Sequence, residues 1–327
     1  MTITRTVSLA FAAIIAGGSA ALPQAYPTKP ITIVVPLAAG SGMDSVVRVY
    51  AEDLSATFGK PVVIENQPGA TLMLAAQNVA RAEPDGHTLL VSATTVMTAN
   101  QTLLKKINYD PDRDFVPISI YLDSPFVLIV SPALGPDNMK AFIELGKSRS
   151  ATPITYATTG TGSLPHLTME ALRADLGFQA SHVPYRNSGQ IVTDVLGGHL
   201  NAALSETALA VSLIHDGKLK AMGITSRTPH PQIPEVAPLA ESIPKPGYES
   251  LAWHILAAPA ATPKPIIDRL IGEMKRITGS AAFQQKVSTI GLIPRQPATL
   301  EDMQAYIRSE RVRWGGIIKQ LGLEGSQ

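Results

Sequence analysis

The sequence contains no cysteine. That excludes disulfides, thiolate metal sites and a cysteine nucleophile, and it leaves no cysteine near the N-terminus to carry a lipid. Neither charge sign is in excess: 27 basic residues face 26 acidic ones, for a net charge of +1. Phosphate backbones need a concentrated basic face, so nucleic acid is excluded as the main partner. No run of like charges forms a tail or polybasic patch. After the first 25 residues no stretch is apolar for the roughly 20 residues a membrane span needs. What remains is an ordinary globular composition, 45% apolar and 16% charged, in 327 residues, enough for two domains.

The first 25 residues, "MTITRTVSLAFAAIIAGGSAALPQA", place Arg5 ahead of an apolar run from Val7 to about Ala16, followed by small residues. This is the pattern of a secretory signal peptide, with Gly18-Ser19-Ala20 suiting the cleavage rule and Ala25 as a second position. A membrane anchor is the alternative, and the run is short for one. Export without lipid or span predicts a mature protein free in the periplasm.

From Tyr26 strands and helices alternate. "ITIVVP" reads as a buried strand, and "DSVVRVYAEDLSATFG" as a helix capped by Asp44 and ended by Gly59, with Val46, Val47, Tyr50 and Leu54 on one face. "PVVIENQPG", "TLMLAAQNVARAE" and "HTLLVSAT" continue as strand, helix and strand. A second unit of the same kind runs from "FVLIVSP" through "NMKAFIELGKSR", "ITYATTG", "SLPHLTMEALRADLG", "ASHVPYR", "GQIVTDVLGGHL" and "NAALSE" to "LKAMGITS". The proline-rich stretch 228–247 reads as a surface loop. "SLAWHILAAP" is a further strand, and two amphipathic helices close the chain. Such alternation builds mostly parallel sheets covered by helices. Two units without a linker predict a chain that crosses between lobes twice, leaving a hinge and a cleft. Ligands of open α/β sheets sit outside the carboxyl ends of the strands.

Two glycine-rich turns stand at such ends. The first is Ala38-Ala39-Gly40-Ser41-Gly42-Met43-Asp44; the second is Thr158-Thr159-Gly160-Thr161-Gly162-Ser163. Each precedes a helix whose free N–H groups and dipole favour an anion. Plain chain reversal is the alternative for either turn alone. Neither fits a dinucleotide or P-loop fingerprint. Ser92, Thr94 and Thr95, after the third strand, and Ser205, after "NAAL", add hydroxyls for a carboxylate. Glu206 repels an anion unless it accepts from a donor on the ligand or faces elsewhere. His166 precedes Glu170 by four residues, a spacing open to a metal as well as to capping and packing, and no third ligand is evident. A hydrolase would need a paired nucleophile and base; there is no G-x-S-x-G, and nothing in the sequence pairs a base with Ser41 or Ser163.

The mature chain resembles the TctC or Bug family of periplasmic receptors of tripartite tricarboxylate transporters. The resemblance rests on "YPTKPITIVVPLAAGSGMD", "GKPVVIENQPGA", "EPDGHTLL", "NYDPDRDFVPIS", "ITYATTGTGSLPHL" and "HVPYRNSGQIVTDVLGGHLNAALSE", in that order and spanning nearly the whole chain. It implies an α/β, two-lobed type II periplasmic binding fold, a Venus flytrap with the ligand cleft between lobes. Lobe 1 would hold residues 26–126 and 250–327, and lobe 2 residues 127–249. It also implies a monomer without cofactor or metal that binds a small organic carboxylate and presents it to membrane permease subunits; docking on a sensor kinase is an alternative role. Ligand contacts would come from Leu37 through Asp44 (Leu37, Ala39, Gly40, Ser41, Gly42, Met43 and Asp44) and from Thr158, Thr159, Gly160, Thr161, Gly162 and Ser163, through backbone amides and bridging water, with Ser92, Thr94, His166, Tyr185, Arg186 and Ser205 beside them.

The chain departs from the family pattern where ligand choice would lie. Ser41 and Met43 alter the first turn, Gly69-Ala70-Thr71-Leu72 and then Met73 stand where glycines are usual, and Tyr185-Arg186-Asn187 replaces Tyr-Lys-Gly. Methionine suits an apolar guest and arginine grips a carboxylate with two prongs. Core packing is the competing reading for Met43 and Met73, and a solvated or structural ion pair for Arg186. The expectation is an apolar or aromatic dicarboxylate, terephthalate among the candidates, and not an acidic amino acid.

Overall fold

Ile31–Val35, five uncharged residues that are nearly all buried, form strand β1, as a strand covered on both faces must. The structure, a computed structural model, describes residues 26–69, 72–149, 151–185 and 187–327. The signal-peptide reading of residues 1–25 and the positions Ala70, Thr71 and Arg186 lie outside the described residues. After β1 come α1 (Gly42–Phe58), β2 (Val62–Asn66), α2 (Met73–Ala80) and β3 (Thr88–Ala93). A five-residue π-helix (Thr95–Ala99) leads into the short helices α3 (Asn100–Leu103) and α4 (Pro111–Asp114). Strand β4 (Phe115–Val130) follows, then α5 (Met139–Ser148), β5 (Ile154–Thr158), α6 (Leu164–Leu176), β6 (Ala180–Pro184) and α7 (Ser188–Leu196). The chain ends with β7 (Ala202–Glu206), α8 (Thr207–His215), β8 (Lys220–Ile224), α9 (Leu239–Ser242), β9 (Leu251–Pro259), α10 (Lys264–Thr278), α11 (Ala281–Thr289), β10 (Ile293–Pro294) and α12 (Leu300–Gln320).

The 16 residues of β4 join two sheets. Phe115–Pro125 pairs antiparallel with β9, which pairs in turn with β3; β3, β1 and β2 complete that sheet, with β1 parallel to both neighbours. Phe126–Val130 pairs antiparallel with β7 and β8, and β7, β5 and β6 run parallel to one another. The inner strands of each sheet are covered on both faces, and the edge strands β2 and β6 are partly exposed. One face of the first sheet packs against α1, α10 and α11 through Val47, Tyr50, Leu270 and Phe283; its other face meets α2 and the start of α12 through Val79, Met303 and Ile307. The second sheet packs on α5 and α6 through Phe142 and Leu167, and on α7 and α8 through Val195 and Ala210. The end of α12 belongs to this second sheet: Trp314 and Ile318 sit in the same cluster as Leu167.

Two local expectations are corrected. Ser41, not Asp44, caps α1: its hydroxyl accepts the Asp44 N–H. The 228–247 stretch is not simply a surface loop. It contains α9, and Ile233, Val236, Leu239 and Ile243 are buried. Its prolines set the backbone turns while the aliphatic residues between them drop into the cores.

Candidate functional site

The first turn leaves β1 at its carboxyl end. Ala38, Ala39, Gly40 and Gly42 are exposed, and Leu37 and Ser41 are half-buried. The Ser41 N–H closes the turn on the Ala38 carbonyl at 3.2 Å. Asp44, one turn into α1, points backward and not outward. Its Oδ2 accepts from the Gly40 N–H at 2.9 Å and from Arg48 Nε at 2.9 Å. Its Oδ1 accepts from Arg48 Nη2 at 3.0 Å and from Asn66 Nδ2 at 3.0 Å, and the same Asn66 amide donates to the Leu37 carbonyl at 2.8 Å. Burial pushes the Asp44 carboxyl up, but the Arg48, Gly40 and Asn66 donors together outweigh it and hold the pKa below the usual value. The side chains of Asp44 and Met43, expected at the ligand, therefore serve the fold. Asp44 is 1% exposed and ties the turn to β2, while Met43 is 4% exposed and packs with the core of α1. One expected donor, the Gly40 N–H, is spent inside the turn. The N–H groups of Gly42 and Met43, at the start of α1, have no hydrogen-bond partner among the described residues.

The second turn repeats the device with different chemistry. Thr159 and Thr161 are exposed. The Ser163 hydroxyl caps α6 by accepting the His166 N–H at 3.4 Å and donates to the Gly160 carbonyl at 2.7 Å. His166 Nδ1 accepts the Gly162 N–H at 3.1 Å. In both turns the residue four positions after a glycine reaches back and holds that glycine's amide. Beneath the turn, Thr158 Oγ1 meets His182 Nε2 at 2.7 Å. The His182 ring lies between those of His166, 4.1 Å away, and Tyr156, 5.1 Å away. The Tyr156 hydroxyl donates to Glu170 at 2.6 Å, and Glu170 is paired with Arg173. His166 and Glu170 are thus both occupied. Among the described residues no group of three His, Asp or Glu side chains could hold a metal.

Both histidines are held neutral. Burial lowers the His166 pKa, with Glu170 opposing and Arg173 assisting. Burial, aided by the neighbouring His166, pulls His182 down to about 4. A histidine whose folded pKa lies below its unfolded value of about 6.5 stabilises the fold fully above that value, and the contribution is lost as pH falls toward the folded pKa. The pH window for His182 is therefore about 6.5 to 4. Wild-type protein should lose about 1–3 kcal/mol more than His182→Gln across it. Denaturant melts at several pH values measure the difference, and parallel curves for the two proteins would contradict the assignment.

The remaining candidates divide. Ser92 is buried at the end of β3, and its hydroxyl has no partner among the described residues. Thr94 is structural: its Oγ1 accepts the Trp253 N–H at 2.8 Å. Thr95 opens the π-helix. Ser205 is buried and donates to the Glu206 carbonyl at 3.2 Å. Tyr185 donates to Asp194 at 2.5 Å and its own N–H continues the ladder to the Thr158 carbonyl. Glu206 ends β7 opposite Phe126 of β4; the residue is exposed overall, and desolvation by the surrounding protein raises the pKa of its carboxyl. The register of β5 with β7, Ala157 opposite Ala203, puts the second turn beside Ser205 and Glu206. Asn66, His182 and Leu103 were not singled out from the sequence. A Cβ on Gly162 would lie 2.5 Å from Leu103, so the second turn rests on the segment that leaves β3.

Two sheets bridged by one long strand, each with a capped turn at its carboxyl edge, define a two-lobed solute-binding fold. In sequence, the chain is 30% identical over 325 residues to BugT of Bordetella pertussis, covering 98% of this chain and 99% of that protein. In structure it resembles Rpa4515 of R. palustris with adipate (TM-score 0.79, 27% identity, 91% of this chain and 98% of that one). It also resembles MatC of Rhodopseudomonas palustris with bound malate (TM-score 0.75, 28% identity, 90% of this chain and all of that one, 100%). The model of the family described as tripartite tricarboxylate transporter family receptor, TctC, matches residues 46–323, and the chain belongs to that family.

Proposed function

We propose that this protein captures a small carboxylate in the periplasm, an apolar or aromatic dicarboxylate by preference, and delivers it to the permease subunits of a tripartite tricarboxylate transporter. The observation that carries the reading is the pair of turns. Each lies at the carboxyl edge of its sheet, each is locked by a side chain four residues on, and each opens onto a helix N-terminus. A carboxylate at the first turn meets the unpaired N–H groups of Gly42 and Met43 and the positive end of α1. Residues 26–126 with 250–327 supply one lobe and 127–249 the other, except that the end of α12, with Trp314 and Ile318, packs into the second, and the chain acts as a monomer. Closure is favoured because only the closed form engages donors from both turns at once.

Binding without chemistry fits the occupied hydroxyls. Ser41 Oγ accepts the Asp44 N–H, and Ser163 Oγ donates to a backbone carbonyl. His166, the titratable side chain nearest Ser163 in sequence, has its Nδ1 lone pair on the Gly162 N–H, so it is not placed as a base. The relatives' adipate and malate are in keeping with a carboxylate guest.

Calorimetric titration with adipate, terephthalate, citrate and glutamate tests the reading. Adipate or terephthalate should bind at least about tenfold tighter than glutamate, a difference of about 1.4 kcal/mol. Selective binding of glutamate would overturn the dicarboxylate preference, and binding of none of the four would overturn the receptor reading.

A further inference from the structure

Leu72 breaks two local rules at once. With φ at 69° and ψ at 1°, it is the one non-glycine residue among those described whose φ is positive. In that region the Cβ of an L-residue crowds the following carbonyl, and a branched side chain has no polar group to compensate. Leu72 is also the N-cap of α2, a place where Ser, Thr, Asn, Asp or Gly would be expected, and it makes no side-chain cap bond. The conformation is fixed from before: the Leu72 N–H donates to the Gly69 carbonyl at 3.0 Å.

Its position gives the strain a use. Asn66, the last residue of β2, pairs with Val35 of β1, and its amide grips Leu37 and Asp44 of the first turn. The carboxyl end of β2 therefore lies beside that turn. Leu72 is half-buried at the edge of the cluster that holds Val96 and Met97. Those two residues belong to the π-helix, itself an uncommon element that recurs at functional sites. The capped turn, the positive-φ leucine and the π-helix thus follow the carboxyl ends of β1, β2 and β3, three neighbouring strands. Strain kept at one point of an otherwise regular sheet edge marks a place where the side chain matters more than the local backbone.

We propose that Leu72 is a specificity residue whose strained backbone holds an apolar wall beside the first turn. The wall takes the carbon skeleton of the bound acid, so the favoured guests are dicarboxylates with several methylenes or a ring between the acid groups, over short or hydroxylated ones. This inference rests on the receptor reading above. It separates strain from contact: glycine at position 72 removes both the strain and the side chain, while alanine removes the side chain and keeps the strain.

The experiment is titration of wild type, Leu72→Ala and Leu72→Gly with adipate and with succinate, together with thermal melts of the free proteins. Both variants should bind adipate about tenfold more weakly, in line with the loss of apolar contact, and succinate within about twofold of wild type. Leu72→Gly should melt above Leu72→Ala, because only glycine relieves the positive φ. Adipate binding by both variants within about twofold of wild type would overturn the inference while leaving the receptor reading intact. So would a wild type that prefers succinate. A Leu72→Gly protein that melts no higher than Leu72→Ala would overturn the role of strain. A wild type that binds neither acid and fails with terephthalate too would bring down the receptor reading itself.

Discussion

Asp44→Asn is expected to weaken carboxylate binding by about 100-fold, although Asp44 need not touch the ligand. Four donors converge on its two oxygens: the Gly40 N–H, two nitrogens of Arg48 and the Asn66 amide. Asparagine keeps the shape but offers one acceptor oxygen and sets an NH2 against two of those donors. Gly40, with φ at +80°, then loses the bond that fixes the turn. Arg48 and Gly40 are exposed and can turn to water, so the stability cost is the modest one of charged hydrogen bonds at a surface, about 2 kcal/mol. The loss in affinity is larger because the N–H groups of Gly42 and Met43 depend on the turn for their aim. Calorimetry of the variant with the best wild-type ligand measures the effect, and wild-type affinity in the variant would refute it. The carboxyl also sets an acid limit. Its folded pKa is lowered, so its stabilisation is complete above the unfolded value of about 3.9 and fades as pH falls toward the folded one.

The second large effect concerns Gly162→Ala. At φ +78° an alanine is strained by about 1–2 kcal/mol. Its Cβ would also lie 2.5 Å from Leu103 Cδ2 and 3.3 Å from Leu103 Cδ1 and Cγ. Leu103 is 2% exposed, so any shift of its side chain must displace packed neighbours, and overpacking adds about 1–3 kcal/mol. A total near 3 kcal/mol is expected in denaturant melts, accompanied by loss of binding as the His166 bond to the turn is displaced. Gly42→Ala is the control. No neighbouring atom lies within 4 Å of its Cβ and its φ is ordinary, so its stability should stay within about 0.5 kcal/mol of wild type. Equal melts for the two alanine variants would refute the packing argument.

The regular parts of the fold were legible because their residues obey one period at a time. Ile31–Val35 is a continuous β-branched run, and α1 carries its stripe at helical spacing. Met43 extends that stripe, three residues before Val46 and four before Val47, so its burial was readable too. Strand β4 was legible only from Phe126 onward, because Pro117, Asp123 and Pro125 interrupt the earlier half, which pairs with β9 across two irregularities. The two turns announced themselves through glycine and serine. What holds them did not. Asp44 depends on Asn66, 22 residues away, and the stack under the second turn brings together Tyr156, His166 and His182 from three different elements. A side chain that reaches backward leaves the same letters in the sequence as one that reaches outward.

Helix α12 is a rod anchored at both ends in different hydrophobic bodies. Met303 and Ile307 are embedded in one, Trp314 and Ile318 in the other, and about 16 Å of helix separates Met303 from Trp314. Between them Glu310 fastens the indole N–H of Trp314 at 3.0 Å. The two halves cannot swing apart as if on a free joint: any wide gape must flex this shaft or draw the tryptophan from its socket. Under the proposed closure this helix would act as a travel stop on how far the jaws part before a guest arrives.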